Sequence, residues 1–376
     1  MSAVIPMSAK TLVKRIPIAE PLIGDRELEY VTDAVRRGEI SSIGPYVDRF
    51  ERAFATYCEA QYGVSTANGT VALHLVLEAL GIDEGDEVIV PALTFVATAN
   101  AVVHARGVPV FADIDPDNWG LDPEHVRRRI TKKTKAIIAV HLYGHPADMD
   151  ALSAIAEEHR LLLIEDAAEA HGARYKGRRV GGLSRAGVFS FYGNKMMTTG
   201  EGGMITTNDA ELVARMRQLR GHGTDPKRRY WHPVIGFNYR MTALQAAVGL
   251  AQVERAAELQ SIKEDIFSEY RAGLGGLPLS LQPELPWAES AHWMMCAMVN
   301  DRSPLTAPQL REALEAQGIE TRPFFPPIPH LPPYGSTERF PVSEKLAERG
   351  INLPSGPRLE LDDVRFVCEA IRRILT

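Results

Sequence analysis

Two rhythms of apolar positions alternate through the first two thirds of the chain. Short runs rich in Val, Ile and Leu predict buried strands that open into polar loops: "DEVIVP" (86–91), "VPVFADID" (108–115), "TKAIIAVHLYG" (134–144) and "LLLIEDAAEAHG" (161–172). Between them, "TVALHLVLEALGI" (70–82), "TFVATANAVVHARG" (94–107) and "DMDALSAIAEEHR" (148–160) carry apolar residues at helical spacing. The first of these follows the turn-like "NGT" and is stopped by Gly81. "AGVFSFYG" (186–193) and "GGMITTND" (202–209) add two further strands. Strands alternating with helices predict an α/β fold whose mostly parallel sheet is covered on both faces. Ligands bind such sheets at the loops beyond the strands' carboxyl ends. The polar residues that follow apolar runs are therefore the first candidates for chemistry: Asp166 after "LLLIE" and Lys195 after "VFSFYGN".

Past about Gln252 the texture changes. A long helical pattern over 241–274 leads into a region with its own strand, "HWMMCAMV" (292–299), and a helix, "APQLREALEAQG" (307–318). A proline-rich loop, "RPFFPPIPHLPPY" (322–334), and a closing helix, "LDDVRFVCEAIRRIL" (361–375), follow. This predicts a large domain over 18–252 and a smaller α/β domain over 253–376, a division that suits a chain of 376 residues.

Composition narrows the function classes. The formal net charge of -6 leaves no global basic surface to recruit nucleic acid or a membrane, so an anionic ligand needs a local patch. Cys58, Cys296 and Cys368 are widely spaced with no CxxC pair. That argues against a disulfide framework or a cysteine-based zinc site and fits a reducing compartment. The first 21 residues hold no continuous apolar core of a signal peptide, and no stretch approaches the roughly 20 apolar residues that cross a bilayer. The expectation is a soluble, cytoplasmic protein.

Lys195 sits between an aromatic run and a stretch of threonines and glycines, "FSFYGNKMMTTGEGG". At a buried strand end its pKa falls, which favours the neutral amine that condenses with a carbonyl; in a solvated loop it is an ordinary lysine. A buried Asp166 needs a cationic partner, such as the pyridinium nitrogen of pyridoxal phosphate, or else it caps a helix starting at "DAAEA". Gly69 and Thr70, opening a helix after Asn68, suit a phosphate cradle, as ordinary caps also look. Ser190 adds a hydroxyl near Lys195, and Phe95 lies just past a strand end, where an aromatic stacks on a flat ring or fills the core. The loop from Arg220 to Arg240 is the strongest basic patch, with Lys227, Arg228, Arg229 and Tyr230 suited to a small polyphosphate. His141 and His145 lack the neighbours of a metal site, and His171 follows the candidate site, within which it could hydrogen-bond; a structural role is expected for each of the three.

Together, "NGTVALHLVLEALGIDEGDEVIVPALTFVATANAV", "VHLYGHPADMD", "IEDAAEAHGA", "FSFYGNKMMTTGEGGMITTND" and "GFNYRMTALQAAVGLAQVER" resemble the DegT/DnrJ/EryC1/StrS family of sugar aminotransferases. The resemblance runs from about Ile18 to the C-terminus. It implies a pyridoxal-phosphate-dependent transferase of the aspartate aminotransferase fold (fold type I), with Lys195 as the Schiff-base lysine and Asp166 on the pyridinium nitrogen. Glu169, where the family often has glutamine, lies against the ring region, and Phe95 stacks on it. The phosphate falls to Gly69, Thr70 and Ser190, with Asn238 reaching in from the second subunit of a homodimer whose active sites are shared. Within the family the likeness is greatest to members that transfer an amino group from glutamate to the C4 ketone of GDP-4-keto-6-deoxymannose, leaving 2-oxoglutarate. Pro326 and Pro329 stand where that group is expected to have histidines, which keeps dTDP- and UDP-linked keto sugars open as substrates. A non-catalytic, cofactor-binding regulator is a third reading. The complete set of Lys195, Asp166, Ser190 and Asn238 and the absence of room for a DNA-binding module in the first 20 residues speak against it.

Overall fold

The computed structural model describes residues 15–376. The N-terminal stretch in which no signal-peptide core is expected lies outside the described residues as far as position 14. The first half contains helices α1 (Asp25–Arg36), α2 (Pro45–Tyr57), α3 (Gly69–Leu80), α4 (Ala97–His104), α5 (Pro123–Arg129) and α6 (Met149–His159). Its strands are β1 (Tyr62–Thr66), β2 (Glu87–Pro91), β3 (Val108–Ala112), β4 (Thr134–Val140) and β5 (Leu162–Asp166). The short β6 (Arg174–Tyr175) and β7 (Arg178–Arg179) precede β8 (Ala186–Ser190), β9 (Gly203–Thr207) and α7 (Ala210–Arg220). Then come α8 (Ala243–Glu254), α9 (Ala256–Gly273), β10 (Leu279–Leu281), β11 (Ala288–Glu289), β12 (Met295–Val299) and α10 (Ala307–Glu315). The chain ends with β13 (Arg322–Pro323), α11 (Pro341–Arg349), β14 (Gly350–Leu353) and α12 (Leu361–Leu375).

The large sheet has seven strands in the order β1-β9-β8-β5-β4-β2-β3. Only β9 runs against its neighbours; the other six strands point the same way, as the alternating pattern predicts. Both faces are covered, which is why these strands read as unbroken apolar runs. Val88, Val90, Ile138 and Ile164 share a core with α3, α4 and α7. Ile89, Ile137 and Leu163 point the other way and pack with α5 and α6. β6, β7 and β11 make a separate three-stranded ribbon.

Local chemistry sets the helix that matters most for the site. The Asn68 side chain accepts the Val71 amide at the N-terminus of α3, and Gly81 at φ 80° ends it in the left-handed region. Leu75, Val76 and Leu77 are fully buried along it, and each such side chain stabilises the fold by roughly 1.5–3 kcal/mol.

The C-terminal sheet, β10-β12-β14-β13, is antiparallel throughout and shares its core with α9, α10 and α12. Ile16 pairs with Ile319 and packs in this core, while the Ile18 carbonyl accepts the Ser355 amide, so the start of the described chain lies on the C-terminal part.

Two expectations change. The helical pattern over 241–274 is two helices, interrupted at Arg255 (φ -107°, ψ 9°), whose guanidinium holds Glu27 at 3.0 Å and Glu258 at 2.9 Å. The break lets α8 pack on α1 and α2 while α9 packs on α12. The helix expected from Thr94 begins only at Ala97, leaving Thr94 and Phe95 in the connection from β2. Among the described residues, no helix is long and apolar enough to cross a membrane.

Candidate active site

The carboxyl ends of β1, β5 and β8 lie at one edge of the large sheet. Asp166, the last residue of β5, is in register with Val188 of β8, whose strand ends two residues later at Ser190. β1 leads through Ala67 and Asn68 into α3. The topology thus gathers Gly69, Thr70, Asp166 and Ser190, residues far apart in sequence, around one cavity of about 670 Å³. Phe95, Glu169 and Lys195 line it too.

The loop that presents Lys195 is held by its own threonines. The Thr198 hydroxyl and the Thr199 amide both donate to the Phe191 carbonyl, at 2.9 Å each, and the Thr199 hydroxyl donates to the Glu201 carbonyl at 2.7 Å. The Gln252 side chain of α8 accepts the Thr198 amide at 3.2 Å. Fixed this way, Lys195 is only 9% exposed. Its Nζ lies 3.6 Å from the ring centroid of Trp293, whose Nε1 donates to the Asn194 carbonyl at 2.9 Å.

Burial lowers the Lys195 pKa, against the opposing pull of Glu169 and Asp166. Both carboxyls are pushed the other way. Burial raises Asp166, although Thr98 donates to Oδ2 at 2.7 Å and the Ala168 amide to Oδ1 at 3.2 Å. Burial raises Glu169 to about 7, although Lys195 and the Tyr143 amide, 2.7 Å from Oε2, favour its charged form. Two buried carboxyls and one amine form a cluster short of one cation, and a protonated pyridine nitrogen would supply it. The anion end of the cavity is as specific. In the first turn of α3 the amides of Gly69 and Thr70 have no acceptor within the helix. A Cβ on Gly69 would sit 2.9 Å from Ser190 Cβ, so only glycine lets helix and strand end come together here. The residues present therefore fit pyridoxal phosphate.

Not every candidate lines this cavity. Lys227, Arg228, Arg229 and Tyr230 are exposed, with Arg228 over the Trp231 ring at 3.9 Å and Arg229 over the Tyr230 ring at 4.9 Å. Asn238 is exposed, and its Oδ1 accepts from Arg240 at 3.3 and 3.4 Å. Phe95 is 53% exposed, its ring 5.8 Å from that of Phe325. Pro326 and Pro329 are not among the lining residues. His141 bonds the buried Glu165 at 3.1 Å, and His145 receives the Leu285 amide at 3.2 Å. His171, pushed down to about 3 by burial, accepts the Met197 amide at 3.4 Å, two residues past Lys195. Among the described residues no cluster of three or more His, Cys, Asp or Glu could hold a metal ion.

Sequence reasoning missed Thr98, Asn194, Trp293, Arg322 and Phe325. Trp293 was hidden in an apolar strand pattern, where an aromatic reads as core. Arg322 and Phe325 stand in "RPFFPP", a loop whose prolines marked it out without saying which cavity it meets.

A model of the DegT/DnrJ/EryC1/StrS aminotransferase family matches residues 21–372. The chain belongs to this family. Like other DegT/DnrJ/EryC1/StrS members it is an aminotransferase, and its cofactor is pyridoxal phosphate. A Caulobacter vibrioides protein named GDP-perosamine synthase is 44% identical over 96% of this chain and 98% of its own length. A Streptomyces venezuelae family member named dTDP-3-amino-3,4,6-trideoxy-alpha-D-glucose transaminase is 38% identical over 97% of this chain and 98% of its own. The crystal structure of DesI in the presence of its TDP-sugar product superposes with a TM-score of 0.90 at 34% identity, covering 96% of this chain and 93% of DesI.

Proposed function

We propose that this aminotransferase moves an amino group from glutamate to the C4 ketone of a nucleotide-linked 4-keto-6-deoxy sugar, with GDP-4-keto-6-deoxymannose as acceptor and GDP-perosamine as product. The observation that carries the choice of sugar is the 44% identity, over nearly the whole of both chains, to a GDP-perosamine synthase. When bound, pyridoxal phosphate supplies a carbonyl that carries the amino group between donor and acceptor, and a ring that withdraws electrons from the reacting carbon.

The rest is the work of the chain's own side chains. Lys195 is the residue that holds the cofactor covalently. Once released, its Nζ takes the proton from Cα of glutamate in one half-reaction and delivers a proton to C4 of the sugar in the other, and burial, by lowering its pKa, makes it readier to give up the proton it holds. Asp166, oriented by Thr98 and the Ala168 amide, keeps its carboxylate aimed at a cationic ring nitrogen. Glu169 would lie beside the ring and Phe95 would stack on it, while Gly69, Thr70 and Ser190 would hold the phosphate.

Asn238 completes the phosphate site from a second copy of the chain, and Lys227, Arg228, Arg229 and Tyr230 meet the substrate diphosphate. All five are exposed and none lines the cavity of its own chain, which suits a contribution across a homodimer. The large and small domains divide at 252/253, beside the break at Arg255.

Purified enzyme given pyridoxal phosphate and glutamate tests the reading, with 2-oxoglutarate release followed across GDP-linked 4-keto sugars and dTDP- and UDP-linked 4-keto and 3-keto sugars. Turnover with the GDP sugar is expected. A dTDP-linked acceptor is the second reading, favoured by the 38% identical Streptomyces venezuelae transaminase, and turnover with the dTDP sugar alone would replace the first. No turnover with any of them would refute both.

A further inference from the structure

Trp293 comes from the C-terminal half of the chain, two residues before β12, yet it touches the side chain around which the site is built. The residue is held at three points, two of them on the ring. Nε1 donates to the Asn194 carbonyl at 2.9 Å, tying the indole to the peptide that precedes Lys195. The Trp293 carbonyl accepts Nζ of the buried Lys263 at 3.0 Å. Tyr143 stacks against the ring with centroids 6.1 Å apart and an 18° angle between planes. On this immobile surface Lys195 Nζ stands 3.6 Å from the centroid, within the range where an ammonium is attracted by the negative face of an aromatic ring. Trp293 is 7% exposed, so little water competes with that attraction.

We propose that Trp293 is a further catalytic residue: its indole face is the seat on which the Lys195 ammonium rests whenever the lysine is not bonded to the cofactor. The proposal rests on the reading of Lys195 as the cofactor lysine. A free lysine in this site must be parked close to the reacting carbon and must carry the proton it is about to return. Asp166 and Glu169 supply attraction, and Glu201 and Arg322 line the same cavity, while His171 is held neutral by burial. The indole adds a fixed direction to that attraction, and it favours the charged form against the desolvation that opposes it.

The test is made on cofactor-free protein. The chain has four tryptophans, so fluorinated tryptophans are placed at position 293 alone by stop-codon suppression. Fluorine withdraws electron density from the ring face with little change of volume and keeps the Nε1 donor. Competitive labelling of lysines by acetic anhydride across pH, read by mass spectrometry of the Lys195 peptide, gives the apparent pKa of that amine. It is expected to fall stepwise with each fluorine, by about 0.5 to 1 in total. A purely structural role for the ring would leave the series flat, and a flat series overturns the proposal. If the more heavily fluorinated chains do not fold, 5-fluorotryptophan alone at position 293 serves, because it keeps the volume and the Nε1 donor. There a lower labelling pKa than that of the wild type is expected, and an unchanged or higher one overturns the idea. Borohydride reduction of the wild-type holoenzyme, followed by peptide mapping, separates the two layers. A label on a residue other than Lys195 removes the catalytic role of both residues, while the fluorine series still reports whether the ammonium–indole contact exists.

Discussion

Lys263 offers a test of the electrostatics that needs no substrate. It is 2% exposed on α9, and its ammonium donates to the carbonyls of Trp293 and Ser355. Burial pushes its pKa down from 10.5 to about 7. A group depressed in the folded state contributes its full stability above the unfolded pKa, and loses it as pH falls toward the folded one. Above about 10.5 both states hold a neutral amine. Between about 10.5 and 7 the unfolded chain takes up a proton that the folded chain does not, at about 1.4 kcal/mol per pH unit. Below about 7 the loss is complete, at roughly 5 kcal/mol. Burial holds Cys296 well above its usual pKa and His292 down at about 4, and whatever these neighbours add to the pH dependence is common to both proteins and cancels in their comparison. Lys263→Met removes the titration but strands two buried carbonyls, which costs about 1–3 kcal/mol each. The variant is thus expected to be clearly weaker than the wild type at pH 9, and to close about 3 kcal/mol of that gap by pH 7. Denaturant unfolding of the two proteins at matched pH values measures the difference. A gap that does not change between pH 7 and 9 would refute the reasoning.

Three further predictions concern the site itself. Gly69→Ala sets a Cβ 2.9 Å from Ser190 Cβ and is expected to raise the dissociation constant for pyridoxal phosphate about tenfold or more, measured by absorbance titration of the apoenzyme; unchanged affinity would remove Gly69 from the phosphate cradle. Asp166→Asn keeps the shape and the Thr98 contact but removes the charge, so kcat is expected to fall about 100- to 1000-fold with an unaltered circular dichroism spectrum; near-normal turnover would contradict its role. Arg229→Ala is expected to raise KM for the sugar nucleotide about tenfold with kcat little changed, and an unaltered KM would exclude the loop from diphosphate binding.

Much of the fold was legible because its strands are buried on both faces. "IAV" and "LLI" are apolar without alternation only because helices cover each side, and the Gly81 stop and Asn68 cap mark the ends of α3 directly. The break at Arg255 left no such mark. No proline or glycine stands there, and the helical spacing continues across it; what interrupts the helix is the tertiary demand that α8 and α9 serve different cores, with Glu27 waiting for the guanidinium. The site divides in the same way. Asp166, Ser190 and Lys195 follow strands and could be found by position, and Gly69 and Thr70 open a helix. Trp293 and Arg322 reach the cavity from more than ninety residues downstream, through packing that no local pattern encodes.

That asymmetry bears on how the site works. Apart from Phe95, the residues visible from the strand pattern are charged or anion-binding, and they sit on the edge of the large sheet. Those that were hidden include the aromatic wall, Trp293 and Phe325, with Tyr143 stacked between them at 18° to the first and 11° to the second. The Tyr143 amide holds Glu169 and its hydroxyl accepts the Phe325 amide at 3.2 Å, so the wall is bonded to the charged floor as well as packed on it. A cavity built this way excludes water from an amine and two carboxyls whose pKa values move toward one another only when they are dry. Opening the wall would rehydrate Lys195 and return it to an ordinary ammonium. The C-terminal part of the chain therefore does more than cover the sheet: the wall as a whole dries the lysine, and the Trp293 face within it fixes where the ammonium rests.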